Sequence, residues 1–137
     1  MKKRALKRKL SEEAKKDREI LDAVPFPQRD LSLKKFTEFV INDFIASLGE
    51  SDKKYIVENQ DPMDYYFSIC LYLRNHYIAN FTSRGYKIIG DDGRACQGDH
   101  FRENYSVTIM YKIIKKICKE ANVDMEGHNP FGFYEED

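Results

Sequence analysis

Apolar residues recur at spacings of three and four over two separated stretches, and few folds accept that pattern. Phe36, Phe39, Val40, Phe44, Ile45 and Leu48 fall on one side of a 3.6-residue helix, and so do Val107, Met110, Ile114, Ile117, Cys118 and Ala121. Each stripe has to be buried against another element, which predicts helices packed on helices. Ser32 is placed to cap the first helix and Gly49 to stop it. The second stripe predicts a final helix opening at Glu103 or Asn104, with Lys112, Lys115, Lys116 and Lys119 off its apolar face.

Between these two helices, Asp61-Pro62-Met63-Asp64 reads as a cap, a proline at the first helical position and an acidic first turn. A long helix is predicted from Pro62 to about Asn80. Ser51 opens a shorter helical segment through Tyr55, Ile56 and Val57 that breaks at Asn59-Gln60. Gly85, Gly90, Gly93 and Gly98 mark turns, and Tyr86-Lys87-Ile88-Ile89 ahead of Asp91-Asp92-Gly93 has the form of a strand entering a hairpin. Residues 2–24 are good helix formers with a thin apolar stripe, ended by Pro25-Phe26-Pro27. The expected fold is mainly α: a compact bundle of about four helices with a long irregular loop that has room for a short β-hairpin. The division is a basic arm over 1–30, a helical globular domain over 31–123 with its strong periodicity starting at Phe36, and an acidic aromatic tail over 124–137.

A chain of 137 residues forms one domain that buries roughly 68–70% of its unfolded surface, enough for a core without disulfides. Lys plus Arg and Asp plus Glu are equal at 23 each, yet residues 1–18 hold nine basic and three acidic side chains, and residues 124–137 hold five acidic ones and no Lys or Arg. Arms and tails of this kind are solvated interaction segments, or they attract one another. Cys70, Cys96 and Cys118 are odd in number and without a Cys-x-x-Cys pair, which argues against a disulfide framework and a structural zinc site and for a reducing compartment. No apolar run approaches the ~20 residues of a membrane span, so a cytoplasmic location and no membrane partner are expected.

Arg74 emerges from the middle of the stripe Phe67, Cys70, Leu71, Ile78 and Phe81, with Asn75 at its edge. A guanidinium taken out of water needs an acceptor, and Glu103 or Asp99 is the expected one. The alternative is an anion site. Asp99, His100, Arg102 and Glu103 precede the last helix, where acid–base chemistry or a simple helix cap are the two readings. His76 is expected at the surface, on the side opposite Arg74. Cys96, Asp99 and His100 have ligand chemistry without a recognised spacing, and adding His128 would be a free choice, so no metal and no cofactor are expected. No phosphate loop and no nucleophile motif are present. Lys2, Lys3, Arg4, Lys7, Arg8 and Lys9 match what holds nucleic acid phosphates, and equally a solvated helix start.

The run Tyr66-Phe67-Ser68-Ile69-Cys70-Leu71-Tyr72-Leu73-Arg74-Asn75-His76-Tyr77, and after it His100-Phe101-Arg102-Glu103-Asn104-Tyr105-Ser106, resemble the uncharacterised bacterial domain-of-unknown-function family 6794. That family has an Ile/Leu-Arg-Asn-x-aromatic helix and a His-Pro-Asp-Asp-Met-Ser loop opening its last helix. Here the proline is absent, one residue is inserted, and the Gly and Trp flanking Arg-Asn are replaced. The resemblance covers about residues 36–117; it implies a helical fold and one polar cluster of Arg74, Asn75, His100, Glu103 and Ser106, and it does not indicate an activity.

The functional expectation is a non-enzymatic binding or accessory protein, a helical scaffold whose basic arm or Arg74 region meets nucleic acid or a protein partner. The competing expectation is a small enzyme acting on an anionic substrate, with Arg74 as anion clamp and His100 and Glu103 as acid and base. A polar cluster at the foot of an open cleft favours the enzyme; a filled cluster favours the scaffold.

Overall fold

The computed structural model describes residues 24–126, and the N-terminal arm and most of the acidic tail lie outside them. The chain enters at Val24 and forms β1 (Leu31–Ser32), then α1 (Leu33–Ala46) and α2 (Glu50–Glu58). A 3-10 turn (Pro62–Tyr65) leads into a rod of three pieces, α3 (Ile69–Tyr72), a π-helical segment (Leu73–Ala79) and α4 (Asn80–Ser83). Strands β2 (Ile88–Ile89) and β3 (Ala95–Cys96) precede α5 (Asp99–Glu120). The fold is a helical bundle with a small sheet.

Capping explains the helix ends. Ser32 Oγ accepts the Lys35 N–H at 3.2 Å and starts α1. Its end is at Ala46 with Ser47 as cap, three residues before the expected Gly49, which instead caps α2 while its N–H donates to Asp52 at 3.2 Å. The closing turn of α5 carries Asn122 in the left-handed region (φ 57°), with Val123 N–H donating to the Cys118 carbonyl at 2.9 Å and Asn122 N–H to that of Lys119 at 3.2 Å.

Helix α5 is the centre. It packs against α1, α2, the 3-10 turn, α3 and the π segment, and every residue from Asn104 to Met110 is buried. It begins at Asp99, four to five residues before the expected start, because Phe101 and Tyr105, stacked with centroids 5.0 Å apart, extend its apolar face upstream. At the other end the predicted stripe overreaches, since Ala121 is exposed.

The core also begins earlier than Phe36. Val24, Phe26 and Leu31 are buried, and Phe26 sits among Phe36, Phe39, Tyr77 and Phe81 at centroid distances of 5.3 to 6.4 Å. The Pro-Phe-Pro run, expected only to end a helix, thus aims an aromatic anchor. It is followed by a strand that periodicity alone missed: β1 pairs in parallel with β2, Leu31 opposite Ile88, and Asp30 accepts the Lys87 N–H at 2.8 Å. The expected hairpin is present, with β2 and β3 antiparallel, Ile88 opposite Cys96, and Gly93 at φ 80° in the turn.

The long helix from Pro62 is a correction. The 3-10 turn ends at Tyr65, Ser68 takes φ −117° and ψ −94°, and regular α-helix starts only at Ile69. A helical wheel drawn through this break misplaces its first half, so Phe67 is 84% exposed and Leu71 is exposed, while Cys70, Leu73, Ile78 and Phe81 are buried. The π segment turns the second half further, bringing consecutive His76, Tyr77 and Ile78 inward together. His76, expected at the surface, is buried and stacks on Tyr72 at 4.5 Å.

Candidate functional sites

Two places concentrate charge, the Arg74 region and the outer face of α5. Arg74 stands early in the π segment with its side chain 12% exposed. One terminal nitrogen lies 4.0 Å from Glu103 Oε1, the other donates to the Tyr66 carbonyl at 3.3 Å, and the guanidinium carbon is 4.8 Å from the Tyr66 ring centroid. Its Nε is buried with no partner among the described residues. The α3–π rod supplies the cation and the second turn of α5 supplies the carboxylate, so the pair ties two packed elements together. Glu103 is 47% exposed, hence the pair is wet on the acid side rather than dry.

The other members of the expected cluster go elsewhere. Asn75 is exposed, as is His100. Asp99 pairs with Arg102 one turn along its own helix, both at the surface. Ser106 is buried and donates to the Glu103 carbonyl at 2.7 Å, so its hydroxyl serves α5. Arg74 and Glu103 are therefore the two the fold brings together. The arm residues Lys2, Lys3, Arg4, Lys7, Arg8 and Lys9, and His128, lie outside the described residues.

Cys70 is fully buried close to Arg74. Burial pushes its thiol up to about 12, only partly opposed by the Arg74 charge, which makes it an inert core thiol rather than a nucleophile. Cys118 is also buried and shifted upward, and no cysteine among the described residues is in a disulfide. No group of three His, Cys, Asp or Glu side chains among the described residues is arranged to hold a metal ion, and no described helix is long and apolar enough to cross a membrane.

Three clefts among the described residues lie away from Arg74. A cleft of about 450 Å³ separates α2 from the end of α5, one of about 400 Å³ lies between the hairpin and the start of α5, and one of about 260 Å³ faces the 3-10 turn. None of these is lined by Arg74, Glu103 or His100.

The solvent face of α5 is different. Lys112, Lys115, Lys116 and Lys119, at positions i, i+3, i+4 and i+7, line a shallow surface trough with Glu120. Among the described residues only Lys116 of the four is engaged, its ammonium donating to Asn42 on α1 at 2.7 Å. The sequence contains these four lysines in plain view; their mutual placement on a helix whose other sides are all occupied is what the fold adds.

No protein-family model, curated protein or solved structure matches the chain.

Proposed function

We propose that the chain is a non-enzymatic binding protein, a helical scaffold that presents the lysine face of α5 to the phosphate backbone of a nucleic acid. The observation that carries this reading is the row Lys112, Lys115, Lys119, three ammonium groups without a partner among the described residues on a rigid, otherwise buried helix. Over seven residues the row is about 10 Å long, short enough to meet neighbouring phosphates of one strand. The aliphatic stems floor the trough, so the charges are held outward at a low entropic cost. Nothing in the arrangement reads base edges, which implies sequence-independent, salt-sensitive binding. The basic arm, with Lys2, Lys3, Arg4, Lys7, Arg8 and Lys9, adds charge of the same sign. Arg74 supports the scaffold side of the reading, because its charge is met by Glu103 and the Tyr66 carbonyl and ring and it lines none of the three clefts described above.

The test is a fluorescence-anisotropy titration of a labelled duplex across salt concentrations. Three phosphate contacts from the α5 face give a slope of log affinity against log salt of about −2.7, and K112E/K115E/K119E removes that part of the slope. Unchanged binding by the triple variant rejects the α5 face. Loss of binding only when the six arm residues are replaced assigns the contact to the arm.

A further inference from the structure

Six large apolar side chains are exposed among the described residues, and four of them, Met63, Phe67, Leu71 and Tyr72, fall within ten residues along the 3-10 turn and α3. Phe67 is the extreme case, 84% exposed, with its ring edge-on to that of Tyr66 at 4.8 Å between centroids. An apolar face gathered in this way marks contact with another molecule. A fifth exposed side chain, Tyr55 on α2, has its ring edge-on to Tyr65 at 6.4 Å, and both line the cleft of about 260 Å³ that faces the 3-10 turn. Asp52, Asp64 and Ser68 line it too. Asp64 and Ser68 directly follow Met63 and Phe67 in the chain, which puts the cleft beside the apolar face.

Charge decides what can sit there. Between Lys54 and Arg74 the chain holds Glu58, Asp61 and Asp64 and no Lys or Arg. The cations of α2, Lys53 and Lys54, line the other cleft, toward the end of α5, and Arg74 is engaged by Glu103 and Tyr66. Asp52 accepts the Gly49 N–H and Asp61 the Met63 N–H, but neither they nor Asp64 form an ion pair among the described residues. This acidic rim repels a nucleic acid or an anionic lipid surface. It also disfavours a second copy, because a two-fold contact sets the patch against its own like and brings carboxylate to carboxylate. A segment with large apolar side chains on one side and Lys or Arg next to them satisfies both parts of the surface. Its apolar groups cover Phe67 and Leu71, and its ammonium or guanidinium enters the cleft, where Asp52 and Asp64 supply counter-charge and Tyr55 an aromatic ring.

We propose that the Met63–Phe67–Leu71 face docks a basic amphipathic segment of a partner protein, with the cleft of Asp52 and Asp64 as the seat of one Lys or Arg side chain. This surface shares no residue with the lysine row of α5.

The probe is a fluorescein-labelled amphipathic peptide of Leu and Lys, about four helical turns long, titrated with the full chain and read by anisotropy. Saturable binding is expected, and none for the peptides in which Glu replaces every Lys or Ser replaces every Leu. F67S and D52N/D64N change exposed positions only, and D52N keeps an oxygen for the Gly49 N–H. Each is expected to weaken binding about tenfold. Equal affinity of the parent chain and both variants overturns the proposal, as does binding of the Glu peptide or failure of the Lys peptide to bind at all. Binding that appears only after Lys2, Lys3, Arg4, Lys7, Arg8 and Lys9 are replaced by Ser assigns the face to the chain's own arm. A dimer in sedimentation equilibrium that F67S dissociates assigns it to a second copy. Either result overturns the partner segment.

Discussion

Arg74 shows how far a single residue's surroundings can be deduced from its neighbours. Its place between Cys70 and Ile78 predicts burial and an acceptor, and Glu103 is 4.0 Å away. The nature of the pair differs from the dry one that the apolar stripe implies. Glu103 is half exposed, so truncating the arginine strands no carboxylate in the interior, and the large penalty of a broken buried pair does not apply. Arg74→Met is expected to cost about 1–2 kcal/mol, from the stacking on Tyr66 and a partly screened ion pair, measured as the shift in urea midpoint. A loss of twice that size would mean that water is excluded from the Glu103 side. The double variant with Glu103→Gln should differ little from Arg74→Met alone, because most of the lost energy is contact with Tyr66 rather than with the acid.

At the scale of elements, the most consequential feature is the π segment. Its wider turn brings His76, Tyr77 and Ile78 inward in succession, where a regular helix would send one of them to solvent. His76→Ala therefore removes a buried, stacked ring and is expected to destabilise by about 2–3 kcal/mol, whereas Asn75→Ala, at an exposed position next to it, is expected to leave the thermal midpoint almost unchanged. This pair of substitutions reads the register directly. The same segment explains what was legible in the sequence. Helices α1 and α5 follow from spacing because both are regular and each has a long apolar face, and the hairpin follows from the Asp91-Asp92-Gly93 turn. The break at Ser68, the π turn and β1 were not legible. The last two depend on partners distant in sequence, Ile88 for β1 and Asp43 for the Tyr77 hydroxyl at 2.7 Å, and the break at Ser68 follows a 3-10 turn that packs on α5. The lysine face of α5 was visible as four residues, but only the packing of the helix on its other sides shows that this face alone is left to solvent.

For the whole molecule, the buried acids set a limit at high pH. Cys70 rises from 9.0 to about 12 through burial, Tyr65 from 10.0 to about 12 through burial and then its neighbours Tyr55 and Asp64, and Tyr77 rises through burial and its hydrogen bond to Asp43. All three stay protonated in the fold after the unfolded chain has begun to ionise. The unfolded state then binds fewer protons, so stability is intact below the ordinary thiol value of 9.0 and falls above it. The expected slope is about 1.4 kcal/mol per pH unit for each group once its unfolded value is passed. Urea titrations at neutral pH and at about pH 10.5 test this; Cys118 is a second buried thiol shifted upward, so Cys70→Ala is expected to make the loss above the thiol value shallower, and Cys70→Ala with Cys118→Ala to shift its onset toward the tyrosine range. A midpoint that does not move with pH would show that these groups reach water in the native state.

The central position of α5 has a consequence for synthesis. Every other described helical element packs on α5 or on something that does, yet Asp99 is reached only after all of them have been translated. Those earlier segments emerge from the ribosome with their apolar faces complete and nothing to close on, so the chain collapses late and as a unit rather than piece by piece. Until then, the exposed stripes of α1 and of the rod are what a chaperone would meet.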